Sequence, residues 1–492
     1  MSDFLDNLLN RLDFIARVVY DGGFFDEDNI EDVFTHFVRR NEIRSRERRF
    51  PDTTRLRSND ISLTTELSSG MVSSSSQQNL SIVPLIQNRT IKYGFKNSEI
   101  CRISNNLVPN THKNLASYSG KLYCGIHSND GRFFINATQD RWIRIYQTHN
   151  GEFNLYHEIQ AVDVGWSILD IAISPDNRHL VYCSWSHNLY QYSISNDTHS
   201  IESLPLWPTV RRFSSFSAAF TNDSREIITG GNDCFIYVYD REVNQRVLRF
   251  RGHVLDVNAI AFADNSSQVF YSGSDDSMCK IWDRRILSEN HPTPVGMFLG
   301  HKDGITYIDS RNDSRYLITN SKDQSIKLWD VRAVCDPGLS QNAIPTIPRD
   351  PNWDYRWQAP RLLDSTQLEG DTSVMTYHGH CVLRTLIRCR FSPLATTGQR
   401  YIYTGDARGR VIIYDVLTGK IVRNLKHHLT CTRDVSWHPY QHNIITSSWD
   451  SHAGMYEYRN IDEVETQTAG TNSNPVTDDA NPLADPDPNE EI

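Results

Sequence analysis

Two sets of side chains in this 492-residue sequence have the composition of a hydrolytic triad: His253, Ser272 and Asp276, then His301, Thr319 and Asp323. A histidine that relays a proton between a hydroxyl and a carboxylate is the working part of many acyl-transfer enzymes. The same three groups can instead satisfy one another inside a sheet, because buried polar groups must find hydrogen-bonding partners. Recurrence separates the two readings, since a catalytic site is needed once and a brace is needed in every repeat. Trp282 and Trp329 follow both sets at the same offset. The sets are therefore read as structural networks of His253, Ser272, Asp276 and Trp282, and of His301, Thr319, Asp323 and Trp329. Other chemistry finds less support. His427, His428 and Cys431 lack a second ligand pair, the nine cysteines include no CxxC, and neither GxxxxGK[ST] nor GxGxxG occurs. The expectation is a non-enzyme with free thiols, no cofactor and no metal.

The elements that must hold these residues repeat along the chain. Asp140, Asp233, Asp276, Asp323 and Asp450 each stand six residues before an aromatic side chain (Tyr146, Tyr239, Trp282, Trp329 and Tyr456) in stretches like SxDxxIxxWD. Ser186 before Tyr192 and Arg408 before Tyr414 are degenerate copies. The steps between the seven marks are 46, 47, 43, 47, 85 and 42 residues, a regular period with one long interval. Gly252-His253, Gly300-His301 and Gly379-His380 head three units, and Trp282-Asp283 and Trp329-Asp330 close two. This pattern resembles the WD40 repeat. The resemblance implies an all-β fold, a seven-bladed WD40 β-propeller over residues 105–460, whose four-stranded blades bury their faces only by stacking on one another. The long interval is read as an ordered insertion at 333–376 held by Trp353, Tyr355 and Trp357, because Pro337, Pro345, Pro348, Pro351 and Pro360 interrupt it. Leu115–Ser119, ahead of the first unit, is expected to complete the last blade.

The flanks differ from this body. Residues 1–50 form a helical segment in this reading: apolar side chains recur at helical spacing over 3–20, with Leu5, Leu8, Leu9 and Leu12 as candidate anchors for a partner's groove. A second helical stretch, Asn29 to Arg49, begins acidic and ends with eight arginines between Arg39 and Arg57. Residues 51–104 are expected to be a flexible Ser/Thr-rich linker. Residues 461–492 carry nine acids and no Lys or Arg, and are read as a disordered acidic tail. That tail holds nearly all of the formal charge of −10, so the body is close to neutral and direct nucleic-acid binding is not expected. No apolar run approaches membrane-spanning length and the acidic start lacks the features of a secretory leader, so the expectation is no membrane contact and residence in nucleus and cytoplasm.

Trp282-Asp283-Arg284-Arg285 and Trp329-Asp330-Val331-Arg332 both spell WDxR in consecutive units. Trp353-Asp354-Tyr355-Arg356 spells it too, but inside the insertion with no preceding strand, and is read as coincidence. Paired boxes resemble those of substrate receptors for cullin-four RING ubiquitin ligases. Further stretches are similar to one receptor of that group: Asp163–Ser167, Asp256–Ala259, Ala261–Asp264, Ser321–Arg332, Asn352–Gln358, Leu386–Pro393 and Asp434–Pro439. The resemblance covers residues 105–460 and implies a non-catalytic receptor. Arg285 and Arg332, with Asp283 and Asp330, would meet the adaptor called damaged-DNA-binding protein one, and the N-terminal helix would be a second contact. The other face would hold a protein substrate, which the family suggests is a stress-response bZIP transcription factor, for ubiquitination and degradation. By register, the rim residues of that face are Lys121, Gln139, Ser167, Trp185, Asn258, Asp275, Lys322, Arg433 and Trp449, a mixture suited to a short acidic or amphipathic peptide. The alternative is a WD40 scaffold for another multiprotein complex.

Overall fold

A computed structural model describes residues 51–71, 94–148, 151–194, 200–335 and 370–460, together with 86, 89, 354–356, 358, 367 and 368. The helix expected at 3–20, with Leu5, Leu8, Leu9 and Leu12, lies outside these residues, as do Trp353, Trp357 and the acidic tail.

Seven four-stranded antiparallel sheets make up the described body. Blades 1 to 6 each run in chain order from the innermost strand outward, beginning at 122, 170, 215, 257, 305 and 389. Blade 7 takes three strands from 432–457 and its outermost strand, Thr111–Ser117, from ahead of blade 1. Thr111 lies opposite Glu457 and Ser117 opposite His452, so the first strand of the ring closes the last sheet, as the sequence led one to expect.

The repeated aspartate has a local physical cause. Between the second and third strands, Asp140, Asp233, Asp276, Asp323 and Asp450 each accept the backbone N–H two residues on. This turn mimicry by a short carboxylate holds the next residue in a left-handed conformation: Arg141, Cys234, Ser277, Gln324 and Ser451 have φ between 66° and 70°. Blade 6 has Arg408 where the acceptor should be. It uses Gly409 at φ 73° instead, and a Cβ there would lie 2.0 Å from the His428 carbonyl oxygen.

Polar side chains on the inner strands stitch one blade to the next. Asp170 accepts from the Ala218 N–H (2.9 Å), Asp309 from Phe391 (2.7 Å), Asp434 from Gly125 (3.1 Å) and Ser217 from Ile260 (3.2 Å). Three arginines of blades 6 and 7 reach other blades. Arg388 pairs with Asp170 (2.6 Å) and Asp434 (3.0 Å), Arg390 with Asp434 (2.8 Å), and Arg433 donates to the Leu169 carbonyl (2.8 Å). Buried charges persist only when paired in this way.

The described stretches 51–71 and 94–104 depart from the expected flexible linker. They hold α1 (Thr54–Arg57), α2 (Asp60–Ser69) and α3 (Asn97–Ser104), docked on blades 5 and 6. Leu56 and Ile61 are fully buried in one cluster with Tyr316, Ile318, Met375 and Val416. Asn59 caps α2 by accepting from Ile61, Gly70 ends it at φ 66°, and Ser68 donates to the Gly398 carbonyl at 2.6 Å. A Ser/Thr-rich composition concealed two apolar anchors and a well-formed cap. The segment read as an insertion is also shorter than expected, because the fourth strand of blade 5, Met375–His378, begins within it.

Candidate interaction faces of the ring

Inside blade 4 the His253 ring lies 2.9 Å from Asp276 through Nδ1 and 2.7 Å from the Ser272 hydroxyl through Nε2, and the Trp282 indole N–H donates to that hydroxyl at 2.8 Å. Burial lowers the His253 pKa, which keeps the ring neutral at pH 7. Nδ1–H then donates to the carboxylate and Nε2 accepts from Ser272, so every polar atom is used. Burial alone would raise the Asp276 carboxyl, but the His253 ring and the Met278 and Val254 amides hold it at about 2. Blade 5 repeats the set with His301, Asp323 (2.9 Å), Thr319 (2.5 Å) and Trp329 (2.8 Å). Ser272, Thr319 and both histidines are buried, so none offers a nucleophile to solvent. Blade 7 contains a third set that the sequence reading missed: His428 with Asp450 (2.9 Å) and Thr446 (2.7 Å). Its signal was spacing, since His428, Thr446 and Asp450 are separated as His301, Thr319 and Asp323 are.

The third strand of each blade starts at this turn and ends at the opposite face of the ring, where the WDxR boxes lie. Arg285 is 67% exposed and folds back on Asp283, with Nε 2.8 Å and Nη2 2.5 Å from its oxygens. That contact lowers the Asp283 carboxyl to about 2. Asp330 is engaged otherwise, by Arg315 (3.0 Å) and by Asn59 of the capping loop (3.0 Å). Among the described residues Arg332, 70% exposed, pairs only with Asp60 of α2, at 3.5 Å. Arg356 in the insertion chelates Asp354 just as Arg285 chelates Asp283, at 2.7–3.0 Å. Self-pairing of Asp-x-Arg therefore occurs without a strand end, in the insertion, and is absent at the strand end that bears Asp330 and Arg332. What distinguishes Arg285 and Arg332 is that both project from one face of adjacent blades.

At the other end the register argument holds only in part. Trp185 is 41% exposed, and Lys121, Gln139, Asp275 and Trp449 are partly exposed. Ser167, Asn258, Lys322 and Arg433 are buried, against the rim exposure expected of them. Arg433 turns inward to Thr385 (3.1 Å) and the Leu169 carbonyl, and Asn258 bridges to Asp275 (2.5 Å) and the Ile305 carbonyl (2.9 Å). Lys322 pairs with Asp275 at 2.7 Å under the Tyr355 ring, 4.1 Å from its centroid. Burial opposes its charge, but Tyr355 and Asp275 more than compensate and hold its pKa above the usual lysine value. The loops supply what register did not: Trp166 and Trp207 are 51% and 72% exposed. Trp166 packs edge-on to Tyr123 (5.4 Å), which also meets Trp449 (5.6 Å), and Lys121 lies 5.3 Å from the Trp449 ring.

Comparison with known proteins agrees with the architecture. The WD domain, G-beta repeat, matches residues 244–283, 292–330 and 419–457. Each match begins just before the outermost strand of one blade and ends on the third strand of the next. A LEC14B homolog of Prunus armeniaca is 39% identical over 385 residues, 76% of this chain and 80% of its own length. The LEC14B protein of Lithospermum erythrorhizon is 40% identical over 387 residues, with the same shares. A DDB1- and CUL4-associated factor 11 homolog of Caenorhabditis elegans is 37% identical over 364 residues, 71% of this chain and 63% of that protein.

Proposed function

The chain belongs to the family of WD40 proteins that includes LEC14B and the DDB1- and CUL4-associated factor 11 homologs, and from that premise we propose that it is a non-catalytic substrate receptor of a cullin-four RING ubiquitin ligase. The adaptor DDB1 would contact the WDxR face, and a protein destined for degradation would contact the opposite one. The observation that carries this reading is the pair of exposed arginines, Arg285 and Arg332, at equivalent strand ends of adjacent blades. An exposed Asp–Arg pair contributes little to stability, so Arg285 can exchange Asp283 for a partner's carboxylate at small cost. Asp60 of α2 stands beside Arg332, which adds the docked helix to the same surface. Nucleus and cytoplasm are the proposed compartments, and a stress-response bZIP factor the proposed substrate class.

The test is co-purification of DDB1 with Arg285→Ala/Arg332→Ala. Loss of the adaptor with an unchanged melting curve supports the proposal, and stoichiometric adaptor bound to the double variant refutes it. Immunoblotting of nuclear and cytoplasmic fractions checks the compartments.

A further inference from the structure

The face opposite the WDxR boxes is chemically divided. Over blades 4 and 5, Asp256, Asp275 and Asp303 surround Lys322 beneath Tyr355, and burial followed by the charge of Asp275 raises the Asp256 carboxyl to about 6. Over blades 1 to 3 the balance reverses. Asp140 is occupied by Ser119 (2.8 Å) and Arg144 (3.5 Å), Asp163 by Tyr190 (2.7 Å) and Ser186, and Asp233 by Tyr237 (2.5 Å). The exposed guanidinium groups of Arg141, Arg211 and Arg212 make no ion pair among the described residues.

Arg211 and Arg212 share a loop with the exposed Trp207, and Arg141 stands at the turn of blade 1. A Cβ on Gly165 would lie 2.8 Å from that of Trp185, which sets Trp166 and Trp185 side by side. His187 in the same turn approaches the Val210 carbonyl at 3.3 Å, which brings in the loop bearing Trp207, Val210, Arg211 and Arg212. Three exposed tryptophans on neighbouring loops and turns, with arginines among them, are the composition of an interface rather than of an ordinary surface.

We propose that blades 1 to 3 bind a short acidic peptide with apolar or aromatic side chains, seated on Trp166, Trp185 and Trp207 and paired with Arg141, Arg211 and Arg212. This deepens the receptor reading above and rests on it, placing the substrate contact on one sector of the rim. An anionic ligand is drawn to blades 1 to 3 and repelled by the carboxylates of blades 4 and 5. Nucleic acid fits less well, because a phosphate backbone needs a longer run of cations than three arginines in a chain of net charge −10.

The probe is a fluorescent peptide alternating glutamate with leucine and ending in tryptophan, titrated by anisotropy into the full chain. Saturable, salt-sensitive binding is expected, weakened roughly tenfold or more by Trp166→Ala/Trp207→Ala and by Arg211→Glu/Arg212→Glu, and unchanged by Tyr440→Ala at an exposed site elsewhere. Equal binding of a lysine–leucine peptide, tighter binding of a polyuridylate oligonucleotide, or no loss in either double variant would overturn it. So would a tenfold gain in affinity on removing residues 461–492, which makes the occupant the chain's own tail. Adaptor pull-down on the same proteins separates the two proposals: a wild-type chain that binds the peptide but not DDB1 sinks the receptor reading alone, and one that binds DDB1 but not the peptide sinks this one alone.

Discussion

Blades 4 and 6 meet the same demand, fixing a hairpin against its neighbours, with different chemistry. Blade 4 is self-contained: His253, Ser272, Asp276 and Trp282 close a hydrogen-bonded relay within one sheet and its leading loop. Blade 6 lacks the acceptor aspartate, and its histidine looks outward. His380 lies 2.9 Å from Asn320 of blade 5 and 3.1 Å from the Tyr414 hydroxyl, while Arg388 reaches blades 2 and 7. In blade 6, where the repeat weakens, contacts from other blades accompany the change. The degenerate repeat there comes with long-range partners rather than a loose sheet.

The largest effect should come from cutting those long-range partners. Arg388→Ala leaves Asp170 and Asp434 as buried charges short of a partner, at a cost of about 3–5 kcal/mol, read as a lower urea midpoint; a loss no larger than that of a blade 4 variant would break the comparison. Ser272→Ala strands one histidine nitrogen and one indole N–H inside blade 4, and should cost about 1–3 kcal/mol in the same assay.

Acid sharpens the contrast. Burial lowers the His380 pKa to about 3, against about 6.5 in the unfolded chain. Its contribution is therefore fully present above pH 6.5 and is lost as pH falls from there toward 3. Asp276 at about 2 follows the same sign lower down, with its stabilisation lost below about pH 4. His380→Asn should lower stability at pH 7 yet flatten the fall between pH 6 and 5 by up to about 1.4 kcal/mol per pH unit. An unaltered slope would mean that His380 is not held neutral. The smallest effect belongs to the exposed charges of blade 4: Arg285→Ala should leave the melting midpoint within about 1–2 °C of wild type.

The same contrast explains what the sequence made legible. The turn aspartates, the Gly-His dipeptides and the Trp-Asp ends are local devices, so seven units and the closing strand could be counted from spacing. The partners of Arg388 lie 46 and 218 residues away, on strands whose own pattern asks for nothing special. α1 and α2 were hidden for a related reason: Leu56 and Ile61 acquire meaning only against blades 5 and 6. On the face opposite the WDxR boxes, register placed Trp185 at an exposed position. It misjudged Lys322 because Tyr355 of the insertion folds over it, and Arg433 because its guanidinium finds carbonyls inside the channel.

The closing strand also sets a timetable. Thr111–Ser117 leaves the ribosome before any blade exists, but its partner His452–Glu457 follows about 335 residues later. At synthesis rates of roughly 5–20 residues per second, that strand waits on the order of twenty seconds to a minute with its hydrogen-bonding edge unpaired. Blades 1 to 6 can stack during this interval, whereas the seventh cannot exist until residues 432–457 have been made. A nascent chain of this design needs its first strand shielded from other polypeptides, and a ribosome stalled before residue 452 releases an open arc rather than a shorter ring.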